Sequence, residues 1–155
     1  MREMIVIRKY RKDDHEEVVR LHREGVSQIG ASFDDPTVDR DLDDIEGVYL
    51  AGGEYLIATI GNRTVGMGAL RRVDGQMAEI KRMRVDKGLQ GKGVGSRILD
   101  ELVHKAIELG YRRLILGTVE SNRQARTFYE KRGFILHQEK TVSGLHLVLY
   151  ERVLE

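Results

Sequence analysis

Apolar and polar residues follow two kinds of spacing along this chain, and each kind predicts a different element. Residues 4–7 form a short apolar run typical of a strand. In the segment that follows, Val18, Leu21 and His22 recur at the spacing of a helix, and His22 is interpreted as an ordinary member of that helix. The chain therefore starts with a strand followed by a helix.

Residues 34–46 are acidic and contain Pro36, the only proline of the sequence, near the predicted start of a second short helix. Two interpretations stay open for this segment. It is either the solvated face of a helix or an acidic rim that attracts a cationic substrate.

Three strands follow as a meander. Residues 54–73 contain two β-rich runs joined at Gly61-Asn62, a pair suited to a tight turn. A second turn at Asp74-Gly75 leads into a third run, MAEIKRMRV.

The third run, residues 77–85, breaks the strict alternation of a strand. Ile80 lies on even parity, whereas Met83 and Val85 lie on odd parity. One extra residue near Lys81-Arg82 would place all three apolar side chains on one face of the sheet. The pattern predicts a β-bulge there.

The second half of the chain alternates helices with strands. A glycine-rich loop opens a helix whose apolar stripe ends at Gly110, and a buried strand follows. The predicted stripe consists of Val94, Ile98, Leu102, Ala106 and Leu109. A capping box from Ser121 to Gln124 opens the next helix, and Gly133 closes it before two final strands. Residues 1–155 are thus predicted to form a single domain of the α/β class with a mixed sheet flanked by helices.

Composition narrows the functional class. The 155-residue chain has 26 basic and 25 acidic residues, a net charge of +1 and no cysteine. We expect no nucleic-acid partner, because the chain is nearly neutral and Glu130 interrupts the basic helix from Arg123 to Arg132. We expect no membrane partner, because no stretch reaches the roughly 20 apolar residues that a membrane helix needs. The N-terminus is unlike a signal peptide, and the absence of cysteine fits a reducing compartment, so a cytoplasmic protein is predicted. Thiolate metal sites are excluded, and no metal is predicted.

The glycine-rich loop, GLQGKGVGS, lies between a strand and a helix, where free backbone N–H groups hold phosphates. It does not match the Walker pattern, because Gly91-Lys92 is followed by Gly93. It also lacks the Gly-x-Gly-x-x-Gly spacing of dinucleotide sites. A flexible loop without a ligand is the alternative for this stretch alone.

What does fit is the pattern Gln/Arg-x-x-Gly-x-Gly/Ala, here Gln90 to Gly95, which resembles the loop that grips the coenzyme A pyrophosphate in the GNAT family of N-acetyltransferases. The segment SNRQARTFYEKRGF, Ser121 to Phe134, resembles a later motif of that family. The resemblance implies a mostly antiparallel sheet whose central strand is bulged and splayed from its neighbour. It also implies acetyl-CoA as co-substrate.

The resemblance assigns the residues of the site. Asn122 would bind the pantetheine arm, and Tyr129 would lie beside the sulfur and protonate the leaving thiolate. Lys92 and Arg97 lie where the phosphates would be, although a solvated role is as plausible for Arg97. The predicted cofactor-binding residues are Met83, Arg84, Val85, Gln90, Gly91, Lys92, Gly93, Val94, Gly95, Ser96, Asn122 and Tyr129.

Glu79 is the candidate general base, acting through water, as a strand glutamate does in a number of family members. A glutamate is a weak base at its ordinary pKa, so this role requires burial or a second carboxylate. The alternative is a plain ion pair with Lys81 or another basic residue of the sheet.

The sequence thus predicts an N-acetyltransferase that transfers acetyl by direct attack of a primary amine of a small molecule or peptide. The alternative is a non-catalytic acyl-CoA-binding regulatory module. The acceptor would be shaped by residues 29–33 and 141–147, and the acidic stretch favours a cationic amine. A homodimer is possible, as is common among relatives.

Overall fold

The computed structural model describes residues 4–28 and 40–154, so the part of the acidic stretch that contains Pro36 and the predicted acceptor segment 29–33 lie outside the described residues. Within these residues, eleven α-helices and β-strands follow the predicted order. They are β1 (Ile5–Lys9), α1 (His15–Gln28), α2 (Ile45–Tyr49), β2 (Glu54–Ile60), β3 (Arg63–Arg72), β4 (Met77–Val85), α3 (Val94–Glu108), β5 (Arg113–Val119), α4 (Arg123–Glu130), β6 (Ile135–Val142) and β7 (Leu145–Val153).

All seven strands join one sheet in the order β1-β2-β3-β4-β5-β7-β6. Every neighbouring pair is antiparallel except β4 and β5, which are parallel. The predicted mixed, mostly antiparallel sheet flanked by helices is confirmed. The predicted turn at Gly61-Asn62 joins β2 to β3, with Gly61 at φ 60°.

Two apolar clusters form the core. One packs the stripe of α3, including Ile98 and Leu102, against the sheet, and the other packs α1 and α2 around Tyr49 and Tyr55. The helical spacing predicted this stripe, but the prediction that Leu109 belongs to it is wrong. Leu109 caps the helix and is 43% exposed, because the chain turns away at Gly110, which has a φ of 87°.

Strand β4 contains the predicted bulge. Met67 of β3 pairs with Arg84 and Ala69 pairs with Lys81, so two steps along β3 oppose three steps along β4. Arg82 lies inside this bulge, between the paired residues Lys81 and Arg84. Its φ is 59°, which is rare for a residue other than glycine. Ile80, Met83 and Val85 all join the α3 cluster, as the bulge prediction requires.

A buried ion pair fixes the bulge from the α2 side of the sheet. Arg82 donates from Nε to Asp41 Oδ2 at 2.8 Å and from a terminal nitrogen to Oδ1 at 2.5 Å, and both side chains are about nine-tenths buried. The hydroxyl of Tyr49 also donates to Asp41. Nothing in the spacing of the sequence predicted this cluster, since Asp41 and Arg82 are far apart in the chain.

The two central strands separate soon after they begin. In the described chain β4 pairs with β5 only from Met77 to Glu79, opposite Arg113 to Ile115. Beyond Glu79 the bulge turns β4 away, so its backbone groups on this edge have no partner in β5. The predicted splay of the central strand is confirmed, and it leaves a gap in the middle of the sheet.

Candidate active site

A cavity of about 540 Å³ lies beside this gap, between the end of β4, the loop before α3 and one face of α4. Its lining residues are Gly25, Met83, Arg84, Val85, Gln90, Gly91, Gly93, Gly95, Ser96, Asn122, Gln124, Ala125, Phe128, Tyr129 and Arg132. The structure therefore brings together most of the predicted cofactor-binding residues.

Two predicted members lie elsewhere. Val94 is 1% exposed and packs into the α3 cluster, so only its backbone faces the loop. Lys92 is exposed and does not line the cavity. Both still belong to the loop whose backbone shapes the site.

The glycines of the loop set its backbone conformation. Gly91 and Gly93 have φ angles of 80° and 89°, and Gly93 is the N-cap of α3. A side chain at either position would meet open space, so glycine is required for the left-handed conformation rather than for lack of room. Gly95 is different, because it lies within the helix and a Cβ there would make an ordinary 3.5 Å contact with Phe128.

The start of α3 is open to a ligand. No side chain caps this helix, because its N-cap is Gly93. The N–H groups of the first turn of a helix have no partner within the helix, and they carry the positive end of its dipole. The backbone at this end of the cavity is therefore suited to an anion.

The charged side chains that line the cavity are all positive. Among the described lining residues, Arg84 and Arg132 are cationic and none is a carboxylate. Arg84 passes close to α1, where a Cβ on Gly25 would lie 2.3 Å from its Cδ. Arg97, predicted to lie near the phosphates, instead donates to the carbonyl of Ile5 at 2.7 Å.

Helix α4 forms one wall of the cavity. The side chain of Asn122 accepts from the backbone N–H of Ala125 at 3.2 Å, so Asn122 is the N-cap. The prediction of Ser121 as the cap is wrong by one residue, because a cap must place its oxygen over the free N–H groups of the first turn. Asn122 and Tyr129 both line the cavity, two turns apart.

Tyr129 lies between two aromatic rings. Phe128 and Phe134 pack edge-on against it, with ring centroids at 5.1 and 5.7 Å. Burial raises the pKa of the Tyr129 phenol well above its usual range, and the positive charge of Arg84 offsets only part of that effect. The phenol is therefore fully protonated at neutral pH, the state in which it can donate a proton.

Glu79 lies at the last position where β4 pairs with β5, opposite Ile115. It is not a lining residue of the cavity. Its carboxylate accepts from Arg71, its cross-strand neighbour, at 2.7 Å. The ion pair considered in the sequence analysis therefore exists, with Arg71 rather than Lys81 as the partner.

Sequence spacing missed several members of the lining. Gln124 reaches the cavity from α4, and Arg132 reaches it from the turn after α4. Gly25 reaches it from α1. Arg132 lies four residues after Phe128, a spacing that brings side chains together on helices, so this neighbour was detectable. The contribution of α1 was not, because it depends on how α1 packs on the sheet.

The described residues also limit other kinds of site. Within residues 4–28 and 40–154, no group of three histidine or acidic side chains is placed to hold a metal ion. No helix in these ranges combines the length and apolar character needed to cross a membrane.

Comparison with known proteins bears on this site. The family profile described as "Acetyltransferase (GNAT) family" matches residues 15–134. A curated relative, N-acetylaspartate synthetase of Danio rerio, is 30% identical over 106 residues, which cover 66% of this chain and 38% of that protein. The chain matches only part of such relatives, since the match spans 38% to 59% of the length of three of them.

Solved structures agree in fold. A GNAT-family acetyltransferase of Staphylococcus aureus Mu50 superposes with a TM-score of 0.90 at 26% identity, covering 98% of this chain and 100% of that one. An acetyltransferase of Salmonella typhimurium, solved with its cofactor acetyl-CoA, has a TM-score of 0.78 at 22% identity, covering 97% and 94%. The chain with the splayed β4 and the open start of α3 therefore belongs to the acetyltransferase (GNAT) family.

Proposed function

We propose that this protein transfers the acetyl group of acetyl-CoA to a primary amine of a small molecule or peptide, without a covalent enzyme intermediate. The observation that carries this proposal is the cavity itself. It has an open helix start and a glycine loop at one end, and the protonated Tyr129 in its α4 wall. Family membership and the acetyl-CoA held by a structural neighbour support the same assignment.

The residues present fit coenzyme A. Its diphosphate is anionic, and the loop from Gln90 to Ser96 supplies free N–H groups without a nearby carboxylate among the described lining residues. Its pantetheine arm carries amides, which need backbone partners. The edge of β4 at Met83, Arg84 and Val85, which does not pair with β5, would supply them together with Asn122.

In the proposed reaction the amine nitrogen forms a bond with the thioester carbonyl carbon and the carbon–sulfur bond breaks. The hydroxyl of Tyr129 donates its proton to the departing sulfur. Burial of Tyr129 keeps this proton on the phenol at neutral pH, but it also makes the phenol a weaker acid, so the transfer occurs only as the carbon–sulfur bond breaks and charge develops on the sulfur.

The amine must also lose a proton. An alkylamine with a pKa near 10.4 requires roughly 4.6 kcal/mol to be neutral at pH 7. We propose that Glu79 accepts this proton through water, since it lies where β4 and β5 part. The carboxylate of Glu79 is held by Arg71, so this role needs the acceptor to displace Arg71 from it.

The acceptor class rests on fewer observations. Two described acids of the predicted acidic rim already have structural partners, because Asp41 pairs with Arg82 and Asp44 caps α2 through Gly47. One observation points the other way, since a curated relative is named N-acetylaspartate synthetase and aspartate is an anionic amino acid. We keep the cationic amine as the proposed class and include anionic amino acids in the test.

A screen of amine acceptors with acetyl-CoA, reading released thiol, tests the proposal. Turnover with at least one amine is the expected result. The alternative, a non-catalytic acyl-CoA-binding module, predicts thermal stabilisation by acetyl-CoA with no turnover on any amine. Higher activity on anionic amino acids than on polyamines or lysine peptides would contradict the cationic class. The cytoplasmic location stays a prediction.

A further inference from the structure

Arg132 is the cationic side chain of the cavity that no family pattern singled out. It lies in the turn that follows α4, beside Lys131, the C-cap of that helix. Its guanidinium reaches across to α3 and lines the cavity together with Gly93, Gly95 and Ser96. Arg132 therefore occupies the end of the cavity where α3 begins.

One cation–π contact and three hydrogen bonds hold the guanidinium in place. Its carbon lies 3.9 Å from the ring centroid of Phe128, in cation–π geometry. One terminal nitrogen donates to the Phe128 carbonyl at 2.9 Å, and Nε and the other terminal nitrogen donate to Ser96 Oγ, the former at 3.1 Å. Its position is thus fixed before any ligand arrives.

The charge of Arg132 is not neutralised within the described ranges, where no carboxylate forms an ion pair with it. An arginine also carries five N–H donors, more than these contacts use. The neighbouring basic side chains are less suited to the cavity. Arg126 is tied to Tyr150 and Glu120, and Lys131 is exposed.

We propose that Arg132 binds the diphosphate of coenzyme A and joins the α4 wall of the site to the start of α3. The location next to Ser96, in the first turn of α3, favours the diphosphate over the 3′-phosphate, because the open N–H groups of that turn bind the same group. This inference rests on the proposed function, since it names a further ligand-binding residue of that site.

The test compares Arg132→Met with wild type in calorimetric binding to coenzyme A and to 3′-dephospho-coenzyme A. Loss of a charged hydrogen bond predicts that affinity falls about tenfold or more for both ligands alike. The KM for S-acetylpantetheine, which has no diphosphate, should not change. Arg132→Lys should restore part of the affinity, because lysine keeps the charge but not the fork of donors.

Lys131→Met is the matched control, since it removes the same charge from an adjacent exposed residue that does not line the cavity. A loss confined to coenzyme A would overturn the assignment in favour of the 3′-phosphate. A raised KM for S-acetylpantetheine would also overturn it, because a displaced α4 would disturb Asn122 and Tyr129 as well. If wild type binds neither coenzyme, the proposed function fails instead, whereas normal binding by the Arg132 variant removes only this inference.

Discussion

At the scale of single residues, the chemistry proposed for the site depends most on Tyr129. Replacing it with phenylalanine removes only the hydroxyl and keeps the ring between Phe128 and Phe134. We expect turnover to fall by about 10²-fold, the lower range for loss of a general acid, with the dissociation constant of acetyl-CoA unchanged. Steady-state kinetics and calorimetry measure the two effects, and Phe134→Leu, outside the cavity lining, shows what loss of packing alone does.

The pH profile of wild type provides a second check on Tyr129. Because burial raises the pKa of its phenol, the acid keeps its proton beyond the ordinary tyrosine pKa of about 10. We therefore expect that titration of Tyr129 does not lower turnover between pH 8 and about 10. Any decline in turnover in that range should also be present in Tyr129→Phe. A basic limb in that range that disappears in the variant would contradict the assigned state of the phenol.

Asp41 is the residue whose charge matters for stability. Burial by itself would raise its pKa, but hydrogen bonds from Arg82 and Tyr49 outweigh burial and leave the pKa lowered. Its contribution is therefore present above the ordinary aspartate pKa of about 3.9 and is lost as the pH falls through the lower folded value.

Asp41→Ala leaves Arg82 buried without its carboxylate, so we expect the free energy of unfolding to fall by about 3 kcal/mol at pH 7. The difference from wild type should already be smaller at about pH 3, because the unfolded chain then binds a proton that the ionised Asp41 of the folded protein does not. Urea denaturation at both pH values measures this. Asp43→Ala, an exposed neighbour, is the control, and an equal loss in both variants would contradict the role of the buried pair.

At the scale of elements, the loop before α3 depends on its left-handed glycines. Gly93→Ala forces a side chain into a φ of 89° at the N-cap, which should cost about 1 kcal/mol of stability and weaken coenzyme A binding. Gly88→Ala is the matched control, because Gly88 lies in the same loop, faces open space and has no positive φ. Thermal unfolding and calorimetry compare the two, and equal behaviour would show that conformation at Gly93 is unimportant.

At the scale of the whole molecule, the sheet ends in β6, an exposed edge strand with both apolar and polar side chains. Every residue of β6 is exposed, including Ile135, Leu136 and Val142, and no described strand pairs with its outer edge. Such edges pair readily with another strand. The homodimer stays a prediction, and pairing between two β6 edges is the form of it that a variant can test.

If the dimer forms through β6, Leu136→Lys should shift the protein from dimer to monomer in light scattering coupled to gel filtration, because the two introduced charges would lie on paired strands and repel each other. Val153→Lys serves as the control, since Val153 is 59% exposed on β7, which already has partners on both sides. A wild type that stays monomeric at all concentrations would overturn the dimer.

The sequence by itself determined the order of the elements, the α3 stripe, the bulge in β4 and the glycine loop. Each of these is a local property, since periodicity, parity and positive φ are fixed by residues close together in the chain. Only the tertiary structure decided which partners meet across long separations. Asp41 with Arg82, Glu79 with Arg71, and Arg132 with Ser96 each join residues from different elements. Local spacing carries no information on such contacts, because they depend on how helices pack on a twisted sheet and on where β4 leaves β5.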